Sequence, residues 1–305
     1  MIHIQERALR KKGVLFSLVG ALLLTPDAVV IRWMEIGHTE VLFWRGLFFG
    51  LGFFLIALLR NRSKVFRAIR NAGWPGILSG VFFAMNTYFY TKSLQQTSAA
   101  AALMIISTAP IFAAGIGWIW LRERISLTVW LTILITLLGM AIIVSDEAGG
   151  NSLAGNLMAV GCAVFMALNF NWSRMHAPRD ITPGLIFGGI IIFLIGFSET
   201  DVLIAKQGEI GAMFLSVAIA MPIGFVLLQI APRYISATEV SLFLLLESVI
   251  APVWVWIVLG EAPGVTTLLG SMVIVMALLL YSYLSGKESQ LRRKQLCNGA
   301  ILNNK

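Results

Sequence analysis

The segment SLFLLLESVIAPVWVWIVLGE, residues 241 to 261, is apolar almost from end to end, and its interior holds one carboxylate, Glu247. An α-helix rises about 1.5 Å per residue, so about 20 apolar residues cross a hydrocarbon core about 30 Å thick. The segment therefore has the length and composition of a transmembrane helix. A charge inside such a helix needs a reason, and the rest of the chain decides whether a membrane is the right setting.

The whole chain repeats this pattern. Of its 305 residues, 58% are hydrophobic and 12% are charged, about half the charged fraction of a soluble domain. Seven stretches of transmembrane length carry no charge: 71–91, 93–121, 125–145, 148–173, 181–198, 210–232 and 262–286. Three more apolar segments each contain a charge: 13–32 with Asp27, 41–59 with Arg45, and 237–259 with Glu239 and Glu247. We therefore predict an all-α integral membrane protein with ten transmembrane helices.

The basic residues predict the orientation of these helices. The net charge is +8, and Lys and Arg are retained on the cytoplasmic side of membrane proteins. With the N-terminus inside, the basic residues concentrate in the inner segments, at 7–12, 60–70, 122–124, 174–179, 233 and 287–305. Both termini are then cytoplasmic. The basic surplus is thus a topology signal, and nucleic acid is not expected as a partner.

The sequence contains no pattern typical of catalysis or metal binding. Cys162 falls inside a predicted helix and Cys297 in the polar tail, and the three histidines lie in separate segments without ligand spacing. We therefore expect no disulfide, no metal site and no cofactor. We also do not expect an enzyme.

Two segments of the chain repeat one another. SAAAALMIISTAPIFAAGIGWIWLRE (98–123) and SATEVSLFLLLESVIAPVWVWIVLGE (236–261) align without a gap, from a shared Ser-Ala start to a shared Trp-Ile-x-Leu-x-Glu end. They are the fourth and ninth predicted spans, and an odd number of spans per half inverts the second half across the membrane. Inverted repeats with a site near the midplane are typical of alternating-access transporters. We predict two inverted five-helix repeats, 13–145 and 153–285, between a cytoplasmic segment 1–12 and a basic cytoplasmic tail 286–305.

These features resemble the drug/metabolite transporter (DMT) superfamily, in its EamA-like ten-helix branch. The resemblance rests on the two halves and on the W-[IV]-x-L-x-E ends of the fourth and ninth spans, and it covers about residues 13–285. Where the family usually has L-L-E-P in the ninth span, this chain has L-L-E-S at 245–248 and its proline at Pro252. Pro110 in the fourth span matches the family pattern.

The resemblance implies a function. Family members mostly move amino acids, nucleosides, sugars and other metabolites, commonly driven by the proton gradient. The resemblance therefore implies a secondary active transporter that works by alternating access. It would export small organic metabolites, such as amino acids, in a process coupled to protons. The implied partners are a small-molecule substrate, protons as coupling ion and the lipid bilayer of the bacterial inner (plasma) membrane. Whether the protein forms a homodimer is left undecided by the sequence.

An alternative of another class also stays open. The protein could handle lipid, or it could transport nothing and serve as a sensor or assembly subunit. A polar cavity at the midplane favours transport. An apolar groove that opens laterally to lipid favours lipid handling.

Glu247 is the first candidate for the coupling site. It lies about ten residues, or roughly 15 Å, beyond the start of its helix near Thr238, which is close to the midplane. A charge at that depth costs about 2.5–3.5 kcal/mol on insertion scales, so such residues usually face a cavity or a partner. Burial disfavours the ionised carboxylate, which suits a group that takes up and releases a proton. A protonated glutamate that only links helices is the other interpretation, and the resemblance favours the functional one.

Asp27 and Arg45 are predicted to meet. Asp27 lies five residues inside Arg32 and Arg45 five residues inside Glu40, so both lie about 7.5 Å below the outer boundary. Neighbouring antiparallel helices would bring the two charges together, and pairing offsets the desolvation of each. A structural salt bridge is the favoured interpretation. An outer gate, or an Arg45 that receives a substrate carboxylate, is the alternative.

Other polar and aromatic residues within the spans are candidates for the cavity wall. They are Asn86, Tyr88 and Tyr90 in the third span, Asn169, Asn171 and Trp172 in the sixth, and Trp254 and Trp256 in the ninth. The alternative for tyrosine and tryptophan is the aromatic belt at the membrane interface. Glu239 instead completes the pattern S-x-x-E at 236–239, which predicts a capping box at a helix start.

Overall fold

The computed structural model describes residues 2–27, 38–97, 99–123, 125–144, 152–199, 211, 214–260, 264–266, 268–281 and 284. This part of the chain is helical, and no strand occurs in it. The helices before the middle of the chain are α1 (Ile2–Leu24), α2 (His38–Asn61), α3 (Val65–Gln96), α4 (Ala99–Ile106), α5 (Ala109–Leu121) and α6 (Leu127–Val144). The later helices are α7 (Leu153–Met175), α8 (Leu185–Glu199), α9 (Met221–Ile230), α10 (Ala237–Leu259) and α11 (Leu268–Tyr281).

Short irregular helices join or extend several of these. A π-helix, Phe214–Ala220, precedes α9, and 3₁₀ turns lie at Arg62–Lys64, Thr182–Gly184 and Ala231–Arg233. In the described residues, five segments are long and apolar enough to cross a membrane: Glu40–Gln96, Ala102–Leu121, Leu153–Met175, Thr182–Glu199 and Phe214–Arg233. The first of these contains both α2 and α3. The all-α membrane fold is confirmed, while the count of ten helices and the cytoplasmic position of the termini stay predictions.

The fourth predicted span is broken, whereas the ninth is continuous. The break at Ser107 and Thr108 separates α4 from α5, and Pro110 follows it in the first turn of α5. Proline lacks an N–H group and clashes with the preceding turn, so it starts a helix more readily than it continues one. The hydroxyl groups of Ser107 and Thr108 donate to carbonyl oxygens three residues back, each at 2.6 Å. In α10 the proline lies at Pro252 and the helix passes through it.

Glycines let α8 approach its neighbours closely. Gly184 and Gly188 lie against Gly76 and Gly80 of α3, and a Cβ added at Gly184 would lie 2.0 Å from the carbonyl oxygen of Gly76. On another side of α8, Gly189 contacts the backbone of Gly50 in α2. Small residues at such contacts are what helix packing in membranes uses, because they bring the backbones within van der Waals distance. These glycines therefore serve helix packing.

We expect Gly80→Ala to lower the thermal unfolding midpoint in detergent. A Cβ at Gly80 would lie 2.4 Å from the carbonyl oxygen of Gly184, and overpacking of this kind costs about 1–3 kcal/mol. Gly115→Ala is the matched control, because no described atom lies within 4 Å of its Cβ. The control should keep or raise the midpoint, since alanine favours a helix over glycine by about 1 kcal/mol. Equal midpoints for the two variants would contradict the close contact of α3 and α8.

Phenylalanine side chains fill the space between α2, α3 and α9. Phe49, Phe53 and Phe83 are fully buried, and the ring centroids of Phe49 and Phe83 lie 5.3 Å apart in an edge-to-face pair. Phe225 of α9 approaches Phe83 with a centroid distance of 4.9 Å. Such pairs add about 0.5–1.5 kcal/mol beyond their buried area. This aromatic cluster fixes the three helices around the cavity described next.

Candidate functional site

A cavity of about 80 Å³ lies between α2, α3, α4, α7, α9 and α10, beside the residues that follow α1. Its polar lining includes Asp27, Arg45, Asn86, Tyr90, Cys162 and Glu247. Apolar side chains such as Met166, Phe225 and Leu244 form most of the remaining wall. The cavity therefore combines a small charged region with an apolar surround, which is the usual make-up of a site for a small organic molecule.

Asp27 and Arg45 form a buried ion pair on the wall of this cavity. Arg45 Nη1 donates to both carboxylate oxygens of Asp27 at 2.8 and 3.0 Å, and Nη2 donates to Oδ2 at 3.0 Å. Their side chains are only 3% and 2% exposed. The guanidinium group also lies 5.5 Å from the ring centroid of Phe49. Asp27 therefore neutralises Arg45 and holds it in one orientation.

One nitrogen of the Arg45 guanidinium group, Nε, is left without a hydrogen bond to any described residue. Asp27 takes the edge formed by Nη1 and Nη2, whereas the buried Nε has no hydrogen-bond partner among the described residues. An N–H group buried without a partner costs about 1–3 kcal/mol. A carboxylate in the cavity could accept from the Nε edge, because the planar guanidinium group donates in a fork that matches two oxygens.

Glu247 lines the same cavity from α10. It is close enough to Asp27 and Arg45 for both of their charges to act on it. In the described part of the chain, no hydrogen bond or ion pair holds its carboxyl group. Glu247 is therefore available to a ligand or a proton in a way that the paired Asp27 is not.

Two of the three candidates in the third span, Asn86 and Tyr90, line this cavity. Asn86 lines the cavity and donates from Nδ2 to the carbonyl oxygen of Cys162 at 3.0 Å and to its sulfur at 3.2 Å. Tyr88 lies off this cavity, with its ring against Phe89 and under the Lys92 ammonium group. Tyr90 lines the cavity with Asn86, because residues four apart share one face of a helix and residues two apart do not.

Three further candidates also lie off the main cavity. Asn171 donates from Nδ2 to the carbonyl oxygens of Ala113 and Ala167, both at 3.0 Å, and so ties α7 to α5. Trp254 is 38% exposed and donates from Nε1 to Thr25 Oγ1 at 2.9 Å, which ties α10 to the end of α1. Asn169 lines a second, smaller cavity. Asn169 therefore lies on a cavity wall, though not on that of the main cavity, whereas the polar groups of Asn171 and Trp254 bond between helices.

The sequence-based prediction missed several polar residues. Ser107 lies on the cavity wall at the break between α4 and α5, and the nearby Pro110 was the signal for that break. Gln229 bonds to Asn169 in the second cavity. It is the only amide side chain in residues 214–232, so it could have been found as a polar group inside a span.

Charged residues join the helices at one end of the bundle, called the Asp180 end here. Asp180 pairs with Arg60 at 3.1 Å and with Arg233 at 2.8 Å, and Arg174 pairs with Glu123 at 3.0 Å. Burial would raise the pKa of Asp180, but the hydrogen bonds from Thr182 and the two guanidinium groups outweigh it and hold the pKa below its ordinary value. These ionised contacts tie the helices together at the Asp180 end.

Glu239 has the structural role predicted for it. Ser236 and Glu239 form the capping box at the start of α10, with the Ser236 N–H donating to Glu239 Oε2 at 2.8 Å. Arg10 of α1 also donates to Glu239, at 2.8 Å. Within the described residues, no group of three His, Cys, Asp or Glu side chains could hold a metal ion.

Comparisons with known proteins agree with this architecture. Two regions of the chain, residues 11–145 and 153–283, match the EamA-like transporter family. The uncharacterized transporter YdfC of Bacillus subtilis is 26% identical over 59% of this chain and 61% of its own length. The pseudopaline exporter CntI of Pseudomonas aeruginosa is 24% identical over 90% of this chain and 97% of its own length. One crystal structure shares the fold with a TM-score of 0.75 and 17% identity, over 91% of this chain and 98% of the other. The chain belongs to the EamA-like transporter family.

Proposed function

We propose that this protein is a proton-coupled exporter of small zwitterionic metabolites such as amino acids, and that it works by alternating access. One observation carries the proposal: Glu247 and the Asp27–Arg45 pair line the same cavity. The pair is neutral as a unit, and Glu247 adds one titratable group. The cavity thus offers an anion site and a cation site a short distance apart.

The substrate follows from these two sites. The substrate carboxylate accepts hydrogen bonds from the Nε edge of Arg45, where Asp27 makes no hydrogen bond to Nε. Its ammonium group pairs with Glu247. The apolar wall around Met166 and Phe225 then receives the rest of the molecule. A molecule with only one of the two charged groups would leave the other site unsatisfied, and buried charges without a partner are strongly disfavoured.

Coupling follows from competition at one carboxylate. A protonated Glu247 has no charge with which to hold an ammonium group, and a Glu247 paired with an ammonium group has little affinity for a proton. Binding of one therefore releases the other. If the cavity faces the two sides in turn, a proton that enters drives a substrate molecule out. The name of the Pseudomonas aeruginosa relative, an exporter, supports this direction.

Two observations support alternating access in a bacterial inner membrane. Residues of both matched regions, 11–145 and 153–283, line the cavity, which suits a transporter that rocks one half against the other. Ion pairs join the helices at the Asp180 end, which supports a conformation in which the cavity is shut off from that end. Under the predicted topology the Asp180 end is cytoplasmic. The relatives come from bacteria, which supports a bacterial inner membrane as the location.

Uptake into liposomes tests this function. Purified protein is reconstituted, a pH gradient is imposed in either direction, and pools of labelled amino acids are offered with their matched amines and carboxylic acids. We expect accumulation of zwitterions only, and only while the gradient stands. Accumulation of the amines alone would contradict the role of Arg45. Transport of lipid analogues without any amino acid transport would favour the lipid-handling alternative.

A further inference from the structure

A second cavity of about 20 Å³ adjoins the main one. The two cavities share three lining residues, Asn86, Met166 and Phe225. These three side chains are therefore the partition between them. The second cavity also touches Leu185, which follows the 3₁₀ turn Thr182–Gly184 beside Asp180. It thus lies on the line from the main cavity to the Asp180 end.

Three uncharged polar side chains, called the amide cluster here, bond to one another beside this second cavity, and two of them, Asn169 and Gln229, line it. The three are Ser79 of α3, Asn169 of α7 and Gln229 of α9. Gln229 Nε2 donates to Ser79 Oγ at 2.6 Å, and Ser79 Oγ donates to Asn169 Oδ1 at 2.7 Å. Asn169 Nδ2 completes the ring by donating to Gln229 Oε1 at 2.9 Å. All three residues are buried.

The amide cluster crosses a seam between two groups of helices. On one side, α3 packs along α7 and α8, and on the other, α9 packs along α1. The same seam continues toward the Asp180 end, where Ser173 Oγ donates to the Gln229 carbonyl and Arg174 donates to the Pro232 carbonyl at 2.8 Å. For the cavity to open to the Asp180 end, α9 must move away from α3 and α7. The hydrogen bonds of the amide cluster and those of Ser173 and Arg174 must then break.

The chemistry of the seam suits repeated opening. Neutral hydrogen bonds contribute only about 0.5–1.5 kcal/mol net each, because water takes the place of the lost partner when the groups become wet. Apolar packing at the same place would resist the entry of water. The backbone nearby also departs from regular α-helix. In α3, Gly73 has φ +58° and Pro75 lies two residues later. Before Gln229, the π-helix 214–220 leads into α9, whose first turn contains Pro222.

We propose that Ser79, Asn169 and Gln229 are the gate between the substrate cavity and the Asp180 end. The gate is shut when the three side chains bond to one another. It opens when α9 separates from α3 and α7 and water enters the seam. The inference goes beyond the proposed function, and its test needs no substrate, so it stands or falls separately from the amino acid proposal.

Cys162 supplies the reporter. It lies on the wall of the main cavity and is 1% exposed. The sequence has two cysteines, so Cys297→Ser leaves Cys162 as the sole thiol of the full chain. A membrane-impermeant trimethylammonium methanethiosulfonate, applied from the face that carries the Asp180 end, then labels Cys162 only through an open gate. Labelling rates are measured in oriented membrane vesicles without substrate.

Two variants should change the rate in opposite directions. Asn169→Leu leaves Ser79 and Gln229 without their shared partner, so we expect labelling at least tenfold faster than in the Cys297→Ser background. Asn169→Leu combined with Gln229→Leu joins α7 to α9 by apolar contact, and it should label more slowly than the background. If Asn169→Leu yields no folded protein, Ser79→Ala decides instead, with an expected increase of several fold.

Asn171→Leu is the matched control. It makes the same change two residues further along α7, but Asn171 bonds to α5 and to its own helix and not across the seam. Its labelling rate should stay at the background value. An unchanged rate in Asn169→Leu, or an equal rise in Asn171→Leu, would overturn the gate.

Discussion

Arg45→Ala should abolish transport and sharply reduce the yield of folded protein. The change leaves the Asp27 carboxylate, 2% exposed, without its cation. Removal of one partner from a buried ion pair destabilises a protein by about 3–5 kcal/mol, because the remaining charge stays uncompensated. The thermal unfolding midpoint in detergent and uptake into liposomes measure the two effects. Asp27→Ala should behave similarly in stability, since it leaves the guanidinium group alone.

The double variant separates pairing from other effects. Asp27→Ala with Arg45→Ala removes both charges, so its loss of stability should be smaller than the sum of the single losses. The ion pair of Lys92 with Glu199 is the control, because its side chains are 16% and 28% exposed. Lys92→Ala should cost about 1 kcal/mol or less, as partly exposed pairs do. Strictly additive losses for Asp27 and Arg45 would contradict the buried pair.

Glu247→Gln should keep the fold and lose coupling. Glutamine has nearly the shape of the protonated acid, but it cannot release a proton. We expect gradient-driven accumulation to vanish, while exchange of labelled for unlabelled substrate survives only at higher substrate concentration. The glutamine amide oxygen can still accept from the substrate ammonium group, but it carries no charge to pair with it. Both are measured in liposomes, with and without an imposed pH gradient.

Glu239→Gln is the control for this change on the same helix. Glu239 is bound by Ser236 and Arg10 at the start of α10, so this variant should lower stability and keep coupling. A Glu247→Gln protein that still concentrates substrate against its gradient would exclude Glu247 as the coupling site. Glu247 would then only link helices.

The sequence predicts those features that depend on local pattern or on depth along one helix. The capping box at Ser236 and Glu239 follows from four consecutive residues, and the structure confirms it. The membrane fold follows from the lengths of apolar segments. Asp27 and Arg45 meet because equal depths on neighbouring helices leave little freedom for two opposite charges in an apolar medium.

The hydrogen-bond partners of polar residues inside the spans depend on how each helix is rotated about its axis and on contacts between spans far apart in the sequence. Asn169 and Asn171 are equivalent by depth and chemistry, yet one meets Gln229 and the other meets the backbone of α5. The difference arises because the two residues lie on different faces of α7, and each face packs against a different helix. A single sequence does not show which helix packs against which face. Tyr90 could have been ranked above Tyr88, because it shares the helix face of Asn86.

Proton movement driven by substrate tests the central claim most directly. Liposomes that contain the protein and a trapped pH-sensitive dye receive a mixture of amino acids in the absence of any imposed gradient. The account predicts a change of internal pH with the wild-type protein and none with Glu247→Gln, although both exchange labelled amino acid. Equal proton movement through the two proteins would contradict coupling at Glu247, and no movement through the wild type would contradict proton-coupled amino acid export.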